Sequence, residues 1–593
     1  MSDASRRPPF RDLRSFVAEL ERTGRLRRVR VPVDPILEVS ELVQRVVREG
    51  GPALLFEQPL GSSVPLVMNL FGTMDRVELA LGRHPQAIGI ELVEVLQRLN
   101  PPSLGALWKE RGFLARARHM RPRQVRNAPS QQLHQTPPEL FMLPHLQCWP
   151  RDGGRFVTFG PTLTEDPVSH RRNYGLYRLQ VFDAATTGMH WQSMKGGRGH
   201  HWEAERRGES LPTAVVLGGD PILMLAAILP LPEDMDELAF AGFLRGRPTR
   251  LVPGRTIPIA VPADADIILE GLVAPGERRM EGPFGDHFGH YSEAAEFPVF
   301  HVQAITRRRD ALYPATIVGK PPQEDKVMGV AAGEMIGPLI RMINPNVVDL
   351  YAYENASFHN LLGVAVKERH PREVLKTAFN LLGTGQLALT KVTVMVRASV
   401  NPRSFDSLLR ELWYRFEPEE RMLLLPIAPL DTLDYTSYRM HWGSKLVFDA
   451  TGEAVTAADP PSVPPALDGF DQRLGQARLL LGGWLVVQAK SEARALLERL
   501  VAWDGLAPIK FVIVVSEDVD LAREASLLWG IFTRFDPARD LIAQSQSFLG
   551  ARPVYRGRIG IDASWKAGYP LPLEMPSEIV HRVARRWREY FPG

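Results

Sequence analysis

The chain contains 593 residues, of which 45% are hydrophobic and 23% charged, and its formal net charge is +3. This length predicts several domains, and the composition excludes a disordered, collagen-like or coiled-coil protein. The nearly balanced charge gives no sign of a nucleic-acid-binding protein. Cys148 is the only cysteine, which excludes an internal disulfide and a multi-cysteine metal site and predicts a reducing compartment.

The sequence predicts a cytoplasmic protein without a transmembrane segment. No apolar segment follows the arginines near the N-terminus, as a secretory signal would require. The longest apolar run, at 222–229, is far shorter than the roughly 20 residues that cross a bilayer.

The N-terminal part is predicted to be an α/β unit. Apolar residues recur at helical spacing over 13–20 and alternate over 29–33, and similar patterns continue to about residue 100. Six arginines then lie within 111–126 with Phe113 as the single Phe, Tyr or Trp among them, which favours a solvated helix and linker over a phosphate-binding patch. We place the first domain at 1–125.

The middle of the chain, 126–325, is predicted to be a β-rich domain. Short strand-like segments separated by turn residues extend from about 155 to 310. Such a density of short strands indicates a split β-barrel or a strongly twisted sheet.

The C-terminal part contains an internal repeat. Residues 391–421 align without gaps on 510–540 with nine identities. Two copies of one strand–helix–strand unit, joined by a proline-rich linker, explain this similarity. We place the first copy at 326–458 and the second, with a terminal helix, at 470–593. The predicted fold class is therefore α/β (α+β), with a duplicated C-terminal unit.

Two carboxylates stand close together in the glycine-rich segment 281–293. Glu281 and Asp286 flank a Gly-Pro-Phe-Gly turn, in which glycine lets the backbone bend sharply and approach a ligand. Repulsion between close carboxylates raises the pKa of one of them, which would give a proton donor near neutral pH. A tight turn with solvated acids is an equal alternative.

Three further segments carry residues suited to anions or cations. Asn173 and Arg178 lie across a turn-to-strand transition, where an amide can bind a cation and a guanidinium can bind a carboxylate or phosphate. The segment 190–201 is a glycine-rich turn with Lys195, which suits phosphate. Glu237 is a candidate carboxylate partner for Asn173 in binding a cation.

The histidines offer an alternative interpretation, a zinc site in a metal-dependent hydrolase. No H-E-x-x-H or comparable spacing is present. The histidines in question are His200, His201, His287 and His290.

The order of these segments resembles the UbiD family of reversible decarboxylases, which use prenylated FMN. The resemblance rests on N-x-G-x-x-R at 173–178, E-x-x-F-A-G at 237–242, EGPFGDH at 281–287 and VGKPPQED at 318–325. It covers about 550 residues, because N-terminal elements such as NLFG at 69–72 also match.

The resemblance implies a catalytic trio of Arg178, Glu281 and Asp286, with Asp286 as the proton donor. It also implies a divalent metal, usually manganese, for which Asn173 and Glu237 match two ligands; K+ is a further candidate ion. The residues that it assigns to the cofactor are Asn173, Leu176, Tyr177, Arg178, His190, Trp191, Gln192, Lys195, Gly196 and Lys445.

One departure concerns the metal site. Met194 stands where the family commonly has a histidine ligand, and a thioether is a poor ligand for manganese. Either His200 or His201 replaces it, or water does, or metal binding is weakened. Because of this departure, a catalytically silent flavin-binding or assembly subunit is an alternative function.

The resemblance implies a reversible decarboxylase of an aromatic or α,β-unsaturated carboxylic acid. A hydroxy-acid of quinone biosynthesis is the leading substrate, and a catabolic aryl or acrylic acid is the alternative. The implied partners are a flavin prenyltransferase that supplies the cofactor and further copies of this chain in a homo-oligomer.

Overall fold

A computed structural model of the protein describes residues 10–191, 196–231 and 235–592. Helices and strands are mixed along the chain and build several sheets, so the predicted α/β class is confirmed. None of the helices in these ranges is long and apolar enough to cross a membrane.

The N-terminal part is a small sheet covered by helices. Its elements are α1 (Leu13–Arg22), β1 (Leu26–Val29), α2 (Glu38–Arg48), β2 (Ala53–Phe56), β3 (Leu66–Met68), α3 (Met74–Leu81), α4 (Pro85–Arg98), α5 (Leu104–Lys109) and α6 (Arg111–Ala117). Asp12 caps α1 by accepting a hydrogen bond from Ser15, and the apolar face of this helix is buried as its periodicity predicts.

The central part contains most of the strands. Its elements are β4 (Arg123–Gln124), β5 (Leu133–Gln135), β6 (Phe156–Glu165), β7 (Arg172–Gln180), β8 (Thr186–Gly188), α7 (Gly196–Arg207), β9 (Leu211–Leu217), α8 (Pro221–Ala226), α9 (Glu237–Arg245), β10 (Arg250–Pro253), β11 (Ala260–Pro262), β12 (Ile267–Glu281), β13 (Phe284–Gly285), β14 (Tyr291–Ser292), β15 (Ala295–Arg307) and β16 (Tyr313–Pro314). The last strand, β16, completes the N-terminal sheet in the order β1-β2-β3-β16.

The central strands form an open sheet and not a closed barrel. Seven strands pair in the order β5-β15-β12-β9-β6-β7, and β8 also pairs with β15. Only an isolated bridge between Val181 and Thr187 joins the β7 end to β8. Since β8 has only three residues and follows a tight turn after β7, no continuous ladder forms there.

The C-terminal part consists of two units of one topology. The first contains α10 (Glu324–Ile343), β17 (Val347–Ala352), β18 (Leu361–Val366), α11 (Glu373–Leu382), β19 (Val392–Arg397), α12 (Phe405–Arg415), α13 (Pro418–Arg421), β20 (Met422–Ala428) and β21 (Gly443–Ala450). The second contains β22 (Leu474–Leu480), β23 (Trp484–Ala489), α14 (Ala493–Ala502), β24 (Phe511–Ser516), α15 (Glu524–Phe532), α16 (Pro537–Asp540), β25 (Leu541–Leu549), β26 (Arg552–Ala563) and the terminal helix α17 (Ser577–Tyr590).

The duplication is visible in the strand order. The two sheets have the orders β17-β18-β19-β21-β20 and β22-β23-β24-β26-β25, with the same parallel and antiparallel pairs in each. The copies share one apolar core, to which α12 and α15 both contribute. Helix α17 returns to the N-terminal part, where the Tyr590 hydroxyl donates to Glu38 at 2.5 Å.

Candidate active site

The structure brings the three predicted catalytic residues together. Arg178, on β7, donates from Nε to Glu281 Oε1 at 3.2 Å, and its Nη1 is hydrogen-bonded to Asp286 Oδ2. Its Nη2 donates to Ser292 Oγ at 3.1 Å, and its guanidinium lies 4.6 Å from the centre of the Phe284 ring. The trio is buried, so the ion pairs are largely shielded from water. We call residues 281–292 the catalytic loop.

Glu281 has one satisfied oxygen and one free oxygen. His190 Nδ1 lies 2.8 Å from Glu281 Oε1, and the His190 ring packs 4.2 Å from that of Phe297. The buried Glu281 Oε2 has no hydrogen-bond partner among the described residues. A Cβ atom at Gly188 would lie only 2.7 Å from this oxygen, so any larger residue at this position would require the Glu281 carboxylate to shift. The free oxygen can therefore accept a hydrogen bond from a bound group.

The electrostatics correct the expectation of a carboxyl group with a raised pKa. Burial raises the pKa of Glu281, but the neighbouring His190 and Arg178 outweigh it and lower the pKa below its ordinary value. Burial likewise opposes ionisation of Asp286, but His287 and Arg178 lower its pKa to about 2. Because the guanidinium lies between the two acids, attraction to Arg178 exceeds their mutual repulsion.

Two side chains that the sequence did not reveal hold the catalytic loop in place. Asp152 Oδ1 accepts from Gly285 N at 2.8 Å, and burial raises the pKa of Asp152 to about 7. Gln180 Oε1 accepts from Gly282 N at 2.7 Å while Nε2 donates to Gly153 O at 2.6 Å. Their sequence neighbourhoods show only a turn and a strand, so no local signal points to these roles.

A third unpredicted role belongs to His287. Its Nδ1 lies 2.9 Å from Asp286 Oδ1. Burial lowers the pKa of His287, but the hydrogen bond to Asp286 and the charges of Asp286, Asp431 and Asp325 outweigh it and raise the pKa to about 9. His287 is therefore protonated at neutral pH. Its place directly after Asp286 is the sequence signal for this role, although from the sequence His287 is predicted only as part of the alternative zinc site.

The predicted cofactor residues that the structure describes lie around the start of α7. The Tyr177 hydroxyl accepts from Gly197 N at 3.2 Å and from Asn173 Nδ2 at 3.3 Å. A Cβ at Gly196 would lie 2.3 Å from Asn173 Oδ1. A Cβ at Gly197 would lie 2.7 Å from Trp191 Nε1, which is buried without a partner among the described residues. Small residues thus leave a cradle at a helix N-terminus, where an anion is favoured.

The remaining predicted cofactor residues are dispersed. Leu176 lies on β7 and donates its backbone N–H to Ala227 O at 3.0 Å. Gln192 and Lys195 lie outside the described residues. The buried Lys445 ammonium, in the first C-terminal copy, donates to backbone oxygens. These oxygens belong to Ala388, at 2.8 Å, and to Thr390, at 2.7 Å.

The position equivalent to Lys445 in the second copy has the same surroundings. Arg558 donates to the backbone oxygens of Ile509 at 3.1 Å and Val501 at 2.5 Å. Both cationic side chains thus donate hydrogen bonds to backbone carbonyl groups of their own unit. A phosphate contact by Lys445 stays a prediction.

The two predicted metal ligands are neighbours. Glu237, at the start of α9, accepts from the backbone N–H of Tyr174, next to Asn173, at 2.9 Å. Burial raises the pKa of Glu237 to about 7, and a bound cation would lower it. Met194 lies outside the described residues.

The histidines do not form the alternative zinc site. His200 Nδ1 lies 2.9 Å from Thr164 Oγ1, and His201 Nδ1 lies 3.4 Å from Glu205. His290 Nδ1 lies 3.0 Å from Phe288 O. Within residues 10–191, 196–231 and 235–592, no three His, Cys, Asp or Glu side chains are arranged to hold a metal. The described residues therefore do not form the cluster that a zinc hydrolase would need.

Comparisons with known proteins agree with this site. Models of the UbiD family of 3-octaprenyl-4-hydroxybenzoate carboxy-lyases match most of the chain: the N-terminal domain at 17–96, the Rift-related domain at 123–321, and the C-terminal domain at 326–450 and 479–563. The two C-terminal matches fall in the two copies.

Full-length relatives occur in Chlamydia. A Chlamydia pneumoniae protein, named as a subunit of 4-hydroxybenzoate decarboxylase, is 37% identical over 581 residues, which are 98% of each chain. An uncharacterized protein of Chlamydia trachomatis serovar D is 39% identical over 588 residues, covering 98% of this chain and 100% of its own.

Solved structures share the fold. The UbiD-class enzyme HmfF from Pelotomaculum thermopropionicum, in complex with FMN, is 26% identical with a TM-score of 0.64 and covers 77% of this chain and 98% of its own. Vanillic acid decarboxylase from Sedimentibacter hydroxybenzoicus, at 24% identity and a TM-score of 0.66, covers 77% of this chain and 96% of its own and shows a likeness of fold. The chain thus belongs to the UbiD family and is a carboxy-lyase of that family.

Proposed function

We propose that this protein catalyses the reversible, non-oxidative decarboxylation of an aromatic or α,β-unsaturated carboxylic acid with prenylated FMN as cofactor. The observation that carries the proposal is the buried trio, in which Arg178 holds Glu281 and Asp286 and leaves Glu281 Oε2 free. HmfF, a family member of the same fold, has been solved with FMN and with prenylated FMN.

The residues present fit a flavin phosphate and a metal ion. The start of α7 offers backbone N–H groups beside a cradle of two glycines, and Trp191 Nε1 is a buried donor without a partner in the described residues. Asn173 and Glu237 supply the oxygen atoms that manganese prefers. We propose that they bind a divalent metal beside the phosphate, and K+ is the second candidate ion.

The chemistry divides between the cofactor and the chain. Prenylated FMN supplies an electron sink for the electrons left when CO2 departs from an sp2 carbon. Arg178 holds both acids at fixed positions and offers positive charge to a substrate carboxylate. Glu281, anchored by His190, presents its free oxygen to the bound molecules. Asp286 delivers a proton to the substrate carbon.

The test uses protein produced together with a flavin prenyltransferase. The copurified flavin is identified by absorbance and mass. Exchange of 13C-labelled bicarbonate is then measured with a panel of hydroxybenzoic, other aryl and acrylic acids. Formation of the decarboxylated product is measured with the same acids. Asp286→Asn should bind the same flavin but form this product about 10²-fold or more slowly. Glu296→Gln, on the adjacent strand and exposed, is the control and should exchange at the wild-type rate.

The outcomes separate the candidate functions. An unchanged rate of product formation in Asp286→Asn would contradict the assigned role of Asp286. Flavin binding without exchange for any acid would favour the silent flavin-binding or assembly subunit, for which the substitution of the usual histidine by Met194 argues.

The finer features of the function are also proposals. We propose a hydroxybenzoate-type acid of quinone biosynthesis as substrate, because the N-terminal half resembles quinone-pathway members and a Chlamydia pneumoniae relative is named as part of a 4-hydroxybenzoate decarboxylase. A cytoplasmic location and a homo-oligomeric state stay predictions. Light scattering of the purified protein tests the oligomeric state.

A further inference from the structure

The two oxygens of Asp286 have different partners. Oδ2 is held by Arg178. Oδ1 accepts from the backbone N–H of His287 at 2.8 Å and lies 2.9 Å from His287 Nδ1. The Asp286 side chain is 12% exposed, whereas that of His287 is 25% exposed. His287 therefore lies between the buried acid and solvent.

The charges around Asp286 leave it without a proton at neutral pH. Its pKa is lowered to about 2, because His287 and Arg178 outweigh the effect of burial. An ionised carboxylate cannot protonate a carbon atom. Arg178 cannot replace it, because a guanidinium does not release its proton in proteins. Among the side chains hydrogen-bonded to Asp286, only the imidazole of His287 changes its protonation state in the physiological range.

The surroundings of His287 stabilise its charged form. Three acids act on it: Asp286 on the catalytic loop, Asp325 on α10, and Asp431, which follows β20. The position of Asp431 is in turn fixed by His359, whose Nδ1 lies 2.6 Å from Asp431 Oδ2. Ser357 Oγ donates to the backbone oxygen of His287 at 3.3 Å. Both the position and the charge of this imidazole are therefore set by neighbouring elements.

We propose that His287 stores the proton that Asp286 delivers to the substrate carbon. This inference rests on the proposed decarboxylase function. In the step, the Nδ1–H bond of His287 breaks and its proton passes to the Asp286 carboxylate. The carboxyl group gives one proton to the carbon left by CO2, and a C–H bond forms. Neutral His287 then takes a proton from water, and hydroxide is released to solvent. Carboxylation uses the same path in reverse.

The test compares wild type with His287→Asn as reconstituted holoenzymes. Asparagine places an amide N–H near the position of Nδ1, so it keeps the hydrogen bond to Asp286 but cannot store a proton. We expect kcat to fall by about 10²-fold or more with KM changed less than about threefold. Flavin absorbance and thermal stability should stay at wild-type values, and added imidazole should restore part of the rate. His301→Gln, an exposed histidine on β15, is the control.

The pH profile gives a second readout. Since His287 carries its proton below its folded pKa and loses it above, the wild-type rate should fall on the alkaline side. Asp431→Asn removes one negative charge near His287, so this alkaline limb should move to lower pH. This variant keeps His287 itself, which makes the test independent of how well His287→Asn folds.

Two outcomes would overturn the proton-storage role of His287, and a third would contradict the proposed function. An active His287→Asn enzyme with the wild-type pH profile would overturn the storage role. An unmoved alkaline limb in Asp431→Asn would overturn it as well. A wild type that exchanges CO2 with no acid would contradict the proposed function, which is a separate failure.

Discussion

Replacing Arg178 by alanine should loosen the catalytic loop far more than it loosens the rest of the molecule. The substitution leaves two buried acids without their shared cation. Counted over the whole residue, Glu281 is 1% exposed and Asp286 is 8% exposed. It also removes the hydrogen bond to Ser292. Breaking a buried ion pair by removing one partner costs about 3–5 kcal/mol. The opening of the catalytic loop should therefore become easier by roughly a hundredfold or more.

The effect should depend on pH. In the wild type both carboxyl groups have a lowered pKa, so their stabilising contribution is present above their unfolded pKa values and is lost as the pH falls. Without Arg178, each carboxyl group loses one of the charges that lower its pKa, so both pKa values should rise and ionisation should stabilise the variant less than the wild type. The difference between wild type and variant should thus be large near pH 7.5 and small near about pH 4.

Hydrogen exchange with mass spectrometry of peptides spanning 281–293 measures this opening directly, after correction for the intrinsic exchange rate. Arg279→Ala is a matched control, since Arg279 is 52% exposed and lies 3.5 Å from the half-exposed Asp183. Such a pair contributes about 0–1 kcal/mol. Equal protection of the loop in the two variants, or an Arg178→Ala effect that is independent of pH, would refute the electrostatic reasoning.

Three further substitutions test the surroundings of the site. Gly188→Ala places a Cβ 2.7 Å from the free oxygen of Glu281, so kcat should fall by about tenfold or more with the fold retained; unchanged kinetics would show that this oxygen can move freely. Glu237→Gln removes one charge from the proposed metal site, so metal content measured by mass spectrometry should fall, while an unchanged metal content would place the ion elsewhere. Trp529→Phe removes the 2.8 Å hydrogen bond to Phe288 O, so exchange of the catalytic loop should accelerate by about fivefold; unaltered exchange would show that the second C-terminal copy does not support the loop.

The contact made by Trp529 gives the duplicated unit a structural role at the active site. The indole stacks on His290 with 5.2 Å between ring centres, and the chain after the second copy adds a hydrogen bond from Leu573 N to Gly289 O at 2.9 Å. Tyr435, from the first copy, places its hydroxyl 3.0 Å from His290 Nδ1. The catalytic loop is therefore held from both C-terminal copies.

The sequence alone indicated the α/β class, the duplication and the three residues that we propose as the catalytic trio. Periodicity specifies helices and strands because their side chains repeat every 3.6 or 2 residues, and the repeat is visible in aligned residues such as Lys391 and Lys510. The motif around Asp286 was specific enough to indicate the family. Whether the central strands close into a barrel was not determined, because closure depends on the ladder between β7 and β8.

Only the tertiary structure decided the protonation of the site. Glu281 and Asp286 are five residues apart, which suggested repulsion. In the structure His190 lowers the pKa of Glu281 and His287 lowers that of Asp286, and Arg178, more than 100 positions earlier, lowers both. The pKa of His287 is raised mainly by Asp286, and Asp431 and Asp325, which are distant in the sequence, add to this effect. Such effects depend on distances between charges in a buried environment, and separation along the chain carries no information about them.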